Sequence, residues 1–385
     1  MATLLEQRLQ SLAPLIKDPA APGADAPGGK AASVVSLIYP TPDVSGDQHK
    51  WDIAQKNILS RLDEDHGLNE RAAAKLRDYV ASMDTEHLPT GGFALFADGE
   101  DVTIHPLTVR PAPTLHEGEV YALPALVDAA AAQRYWVVVL DIDAPRLFEV
   151  QGGTWTDRTP KEVMTLSGEM GRTEPMASVT FHSSGRPHIG QAGHAAAKFH
   201  GLGTATQDLK QTEIENVLTR FAVQVRDVVK GDSDPVLLAG DPKRTGLFRG
   251  HFDHQHLVEP DLHVAGDALE LRELAGRAGD AMKAEEDKRR KALLDELDRN
   301  TLTDNTNLLL EAAREGRIAT VYLREDGAGL LHGDDERLKI DSVDDWEVEA
   351  RSSIVAYALK NGASLVLFGE EMADDLPLIS ASMRY

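Results

Sequence analysis

Short runs of β-branched and aromatic residues alternate along the chain with longer stretches of helical periodicity. That alternation narrows the fold class more than any other feature. Val34–Tyr39, Gly91–Phe96, Tyr135–Leu140, Pro235–Ala239, Ile318–Leu323 and Ser364–Phe368 have the length and residue types of buried strands. Between them, 50–62, 69–83, 208–230, 267–299, 307–315 and 346–361 read as helices. Asn69 is placed to cap one, and Gly231, Gly316 and Gly362 to end three others. Leu209, Val217, Leu218, Phe221, Val225, Val228 and Val229 form the expected apolar stripe of the helix over 208–230. Strands interleaved with helices layer as an α/β protein.

A chain of 385 residues suggests two or three domains. The pattern divides it into an N-terminal α/β domain over 1–125, a middle domain over 126–265 and a C-terminal domain over 266–385. A strand is also expected at 102–106, a strand–turn–strand around Arg146–Val150 and Gly152-Gly153, and a terminal strand within 378–385. Residues 1–16 read as a short helix, and Asp18–Gly29, rich in Pro, Gly and Ala, as a flexible surface loop.

Net charge is −23, from 40 basic and 63 acidic residues. Broad non-specific nucleic-acid binding is therefore not expected. The acidity is uneven. Residues 325–349 hold ten acids against Arg337 and Lys339, whereas 175–207 contain no Asp or Glu at all. This second window carries Arg186, Lys198 and four histidines, His182, His188, His194 and His200. At its centre Ile189-Gly190-Gln191 sets an amide beside a glycine, where little side-chain bulk keeps a ligand away. An anionic partner meets least repulsion here.

The chain has no cysteine, which excludes disulfides, a thiol nucleophile and thiolate-bound zinc. No signal peptide and no run long enough to span a bilayer is present, so a cytoplasmic, soluble protein is expected. No Gly-x-Gly-x-x-Gly or Gly-Lys-Ser/Thr signature supports a nucleotide cofactor, and no cofactor is expected. The six-residue spacing of the four loop histidines matches no familiar metal-ligand spacing. His251, Asp253, His254 and His256 are a denser cluster, readable as metal ligands or as surface residues. Asp141, Asp143 and Asp241 end buried strands. Two-metal nuclease carboxylates and turn formers before Pro145 and Pro242 are both open readings.

Four segments, in order, resemble the bacterial relatives of archaeo-eukaryotic class I release factors and Pelota, the baeRF group. They are Gly91-Gly-Phe-Ala-Leu-Phe96, Pro235-Val-Leu-Leu-Ala-Gly-Asp241, Ala312-Ala-Arg-Glu-Gly-Arg-Ile318 and the terminal Ala381-Ser-Met-Arg-Tyr385, with Ser382 departing from an otherwise apolar pair. The resemblance implies an RNase H-like middle domain and a Pelota-like C-terminal α/β domain. It implies action at the ribosomal A site, in termination, rescue or, as for Balon-type relatives, hibernation. Implied partners are the ribosome, through rRNA and the tRNA acceptor end, and a translation GTPase. Neither DNA nor a membrane is expected.

In hydrolytic members a Gly-Gly-Gln loop positions water at the peptidyl-tRNA ester. The matching loop here is Ile189-Gly190-Gln191. Gln191 would be its tip and the catalytic residue of an active enzyme. Arg186, His188, Gly190, Gly193, His194 and Lys198 would join Gln191 in contacting RNA. The β-branched Ile189 stands where the family has its first glycine. It is stiff and disfavours positive φ, which argues against hydrolysis. No codon-reading signature is evident. The expected function is occupancy of the A site without decoding. Peptidyl-tRNA hydrolysis and an acidic protein-interaction module are the alternatives.

Overall fold

A computed structural model describes residues 3–16, 33–42, 49–65, 67–163, 165, 203–231, 234–263, 271–330, 340–342, 346–369 and 372–384. Among these residues the fold is mixed α/β with three sheets, and the chain divides into two compact units. One unit comprises Met1–Gln133, Gln151–Gly153 and Glu286–Tyr385, the other Arg134–Val150 and Thr154–Glu285.

The first unit is built around β1 (Val34–Pro40), apolar at nearly every position because both its faces are buried. It pairs antiparallel with β2 (Gly92–Ala97) and with β4 (Thr114–Gly118). β3 (Val102–Leu107) returns antiparallel to β2, and the two-residue β11 (Asp341–Ser342) adds parallel to β4. The strand order is β11-β4-β1-β2-β3.

Alternation sends successive residues to opposite faces. Val35, Leu37, Phe93 and Leu95 meet α2 (His49–Glu64) and α3 (Glu70–Ser82) through Trp51, Ile58 and Leu76. Asn69 caps α3 as expected, accepting from the backbone N–H groups of Arg71 (3.1 Å) and Ala72 (3.3 Å). Val34, Ile38, Ala94 and Phe96 face a second core.

That second core joins segments from the two ends of the chain. It takes Leu12 from α1 (Leu4–Leu12) and Leu126 from α4 (Leu123–Ala131). From later in the chain come Leu309 of α8 (Thr306–Arg314), Val321 of β10 (Ile318–Arg324), Ile354 of α9 (Trp346–Lys360) and Ala381 of β13 (Ile379–Met383). β10 pairs parallel with β12 (Ser364–Phe368) and antiparallel with β13. Glu119, just past β4, accepts from Arg314 Nη2 (3.0 Å) and Ser353 Oγ (2.6 Å), tying the early sheet to α8 and α9.

Two of the resemblance segments acquire physical reasons here. A Cβ on Gly91 would lie 2.4 Å from the Thr108 carbonyl carbon, and one on Gly92 2.7 Å from the Tyr39 carbonyl oxygen. Backbones pass too closely for any side chain. Arg384 donates to the carbonyls of Gly316 and Asn361, both at 3.1 Å. One guanidinium thus closes the C-terminal ends of α8 and α9, where cations are favoured.

β4 and α4 stand where no element was expected. His116 and Glu117 dilute the strand signal of β4. α4 is apolar at every position but the buried Asp128, so it shows no polar face opposite an apolar one.

Candidate functional site

The second unit carries a five-stranded sheet in the order β7-β6-β5-β8-β9. β5 (Arg134–Val139), β8 (Val236–Gly240) and the short β9 (Leu262–His263) run parallel. β6 (Arg146–Gln151) and β7 (Thr154–Asp157) lie on the other side of β5. Connections from β5 and from β8 therefore leave in opposite directions, and the carboxyl ends of these two strands mark a topological switch point. One face of the sheet packs Trp136, Val138 and Leu238 against Phe221 and Val225 of α5 (Gly203–Val229) and Phe248 of α6 (Pro242–His251). The other packs Tyr135, Val137 and Leu237 against Leu274, Ala278 and Met282 of α7 (Leu271–Glu296). Burial pushes the Tyr135 hydroxyl up to about 12.

At the switch point two of the three expected carboxylates, those of Asp141 and Asp241, are engaged in turns. Asp241 caps α6, its Oδ1 accepting from the Lys243 N–H at 2.9 Å. Asp141 Oδ1 accepts from the Asp143 N–H at 3.0 Å. Arg244 Nη1 donates to the Leu140 carbonyl at 3.3 Å. The turn-forming reading accounts for the Asp141 and Asp241 carboxylates, with Asp143 contributing its backbone N–H to the first turn. Among the described residues no group of three or more His, Asp or Glu side chains is disposed to hold a metal ion. In the denser histidine cluster, His251 faces Glu215 (Nε2 to Oε1, 3.7 Å), while His254 stacks on Phe252 and stands edge-on to His256.

Arg186, His188, Gly190, Gln191, Gly193, His194 and Lys198 lie outside the described residues, as do Ile189, His182 and His200. What is described is the framework on either side of them. β7 ends at Asp157, whose carboxylate accepts from the Thr159 N–H at 2.8 Å; the bonds from Thr159 hold this carboxyl below its ordinary range. The Thr159 hydroxyl accepts from the Leu147 N–H (3.0 Å), and the Arg158 N–H donates to the Leu147 carbonyl (2.8 Å). Further on, Gln224 Nε2 of α5 donates to the Glu162 carbonyl (3.0 Å).

Residues 158–162 are thus fastened to β6 and α5 before the chain reaches the acid-free window. Beneath this root, buried Glu149 receives Arg158 Nε at 2.8 Å and lies 3.5 Å from Arg134 Nη1, while Arg134 also binds Asp234. Sequence reading missed these anchors, although Thr159-Pro160 is a turn signal.

α5 starts at Gly203, within the C-terminal end of the window, and packs into the core from Ile214 onward. Its 27 residues span about 40 Å, against about 17 Å for the five residues of β8. Val228, expected in the apolar stripe, is exposed. Its neighbour Val229 is buried and carries the stripe at this end of the helix. Arg249 at the end of α6 binds Asp261 and Glu259; its bond to Asp261, more than any other cause, raises its already high pKa.

Residues 134–317 match the family model described as Bacterial archaeo-eukaryotic release factor family 3. No curated protein matches the sequence. Solved structures similar to the chain include an archaeal translation termination factor, aRF1, at 12% identity, covering 100% of this chain and 99% of that one with a TM-score of 0.25. An archaeal Pelota from a ribosome-bound model with ABCE1 is 11% identical over 98% and 94% of the two chains, with a TM-score of 0.38. Dom34 of S. cerevisiae is 11% identical over 79% and 76%, with a TM-score of 0.36. Among the described residues no helix is long and apolar enough to cross a membrane. The resemblance to the bacterial archaeo-eukaryotic release factors thus holds over residues 134–317, a stretch that contains the whole of the second unit.

Proposed function

We propose that this protein is a ribosome-associated translation factor that occupies the A site, in rescue or hibernation, without decoding a stop codon. The observation that carries the reading is the family match over 134–317, which brackets the acid-free window at 175–207. The framework supports it, since bonds from Thr159 and Gln224 fasten the approach to the window. RNA is a dense polyanion, and a chain of net charge −23 can approach it only through a face free of carboxylates. Arg186 and Lys198 supply the phosphate contacts, and Gln191 is the tip. Ile189 in place of a glycine favours occupancy over hydrolysis, because backbone positioning of water tolerates little bulk.

Co-sedimentation with 70S ribosomes, with the A site vacant or filled, tests the proposal. Binding only to vacant ribosomes is expected, weakened by Gln191→Ala combined with Arg186→Glu. Two phosphate contacts imply a slope of log affinity against log salt of about −1.4. Unchanged binding of the double variant overturns the assigned loop. Absence of binding in both states overturns the ribosomal reading and leaves the acidic interaction module. Peptide release by the wild type, increased by Ile189→Gly, would replace occupancy with hydrolysis.

A further inference from the structure

Three ionisable side chains are buried together where α1 meets β3 and α4 in the first unit. Arg8 of α1, His105 of β3 and Asp128 of α4 are 5%, 5% and 1% exposed. Asp128 Oδ1 is saturated by the Thr108 N–H (2.8 Å), the Thr108 hydroxyl (2.6 Å) and the Val109 N–H (3.1 Å). Its Oδ2 lies 3.5 Å from Arg8 Nη2, which also donates to the Pro106 carbonyl. Arg8 Nη1 is buried with no partner among the described residues. The Ser11 hydroxyl donates to the Arg8 carbonyl (2.9 Å), so the His105 Nε2 that stands 3.3 Å from it carries the proton of a neutral imidazole.

This is a poor way to glue down a helix and a good way to make its seat conditional. A buried ion pair with an unpaired donor contributes little net stability against apolar packing. The apolar contacts of Leu12, Leu15 and Ile16 hold α1 in place. The polar seat is balanced only in one charge state, with Arg8 and Asp128 cancelling and His105 neutral. Phe96 of β2, which packs on the imidazole, offers no counter-charge. Arg8 from α1 and Asp128 from α4 are the charged groups at this seat, and Arg8 already claims Asp128.

We infer that α1 is an acid-sensitive latch: protonation of His105 puts a second positive charge beside Arg8 and releases the helix from β3 and α4 while the rest of the unit stays folded. Release uncovers the Pro106 carbonyl on the free edge of β3, a backbone acceptor open to another strand or peptide. Burial first, and then the Arg8 charge, lower the His105 pKa to about 4 from its ordinary 6.5. The sign follows from linkage. The closed seat binds a proton less readily than the open one, so closure is strongest above 6.5 and weakens progressively as pH falls toward 4. Between pH 7 and pH 5 the opening equilibrium of α1 rises about 20-fold.

Amide hydrogen exchange of the full chain at pH 7 and pH 5, corrected for intrinsic rates, reads that change directly. The expected result is a rise of about 20-fold in opening over residues 4–12, with α4 and α9 unaffected. His105→Gln keeps a donor toward Ser11 and cannot take up charge, so its α1 should open equally at both pH values. Equal pH responses in wild type and variant, or opening of α1 only together with α9, would overturn the inference. If His105→Gln does not fold, the imidazole titration of the wild type decides. A midpoint near 4 with α1 signals shifting in step supports the latch, and a midpoint near 6.5 sinks it.

Discussion

Adding one methyl group at Gly91 and at Gly246 should have opposite effects. At Gly91 the new Cβ would lie 2.4 Å from the carbonyl carbon and oxygen of Thr108 and 2.5 Å from the Val109 oxygen. Every one of these is a backbone atom, so no side chain can swing aside. Gly91 itself cannot retreat, because its N–H donates to the Leu107 carbonyl and its carbonyl accepts from the Thr41 N–H, both at 3.1 Å. Overpacking of this kind costs typically 1–3 kcal/mol, and Gly91→Ala should lie at about 3 kcal/mol. For a unit of this size that is about 6–12 °C in Tm.

Gly246 lies within α6, and nothing comes within 4 Å of its would-be Cβ. There the methyl group only restricts the unfolded chain and favours the helix. Gly246→Ala should stabilise the second unit by about 0.5–1 kcal/mol. Differential scanning calorimetry of the full chain, resolving the two units' transitions, measures both. Refutation is simple: a Gly91→Ala transition within about 1 °C of wild type, or a Gly246→Ala loss as large as that of Gly91→Ala.

Three further outcomes follow from named contacts. Arg384→Ala should cost about 1 kcal/mol in denaturant unfolding of the first unit, with Arg384→Lys recovering less than half because an ammonium does not span two carbonyls. Asp241→Ala should cost the second unit about 1 kcal/mol by removing the cap of α6, while Asp241→Asn should be close to neutral. Glu149→Ala should cost about 3 kcal/mol, the low end for a broken buried pair, since Arg134 keeps Asp234 and Arg158 is partly exposed. The urea midpoint of the second unit checks both of the last two.

The elements that could be read from the sequence are those whose pattern is local. β1, β2 and β8 are short apolar runs bounded by turn residues, and α3 has both an apolar stripe and a capping asparagine. What could not be read has identifiable causes. α4 is buried on all sides, so it presents no periodicity. α6 announces itself only through Asp241-Pro242, and Gly246 and Gly250 then dilute its helical signal. β9 and β11 are two residues long. Periodicity also carries no record of which distant segments meet, so nothing local pairs Leu126 with Ile354. The candidate loop was legible as a gap in the charge pattern. Its root was not, because Thr159 and Gln224 matter through bonds to partners that only the fold supplies.

The core shared by early and late segments has a consequence during synthesis. The Leu123 N–H bonds the Ser352 hydroxyl, and Ala381 of β13 joins the same core as Leu126. At 5–20 residues per second, the roughly 250 residues between α4 and β13 take about 12–50 s to be made. For most of that interval the side of α4 that packs on α9 has no partner to cover it, although α1 and β3 already cover another part of it. The second unit, encoded in between, can close as soon as it emerges. The first must hold its early half open until the last strand arrives. The burden of misfolding therefore falls on the nascent chain's first 130 residues, which are the ones a chaperone would have to shield.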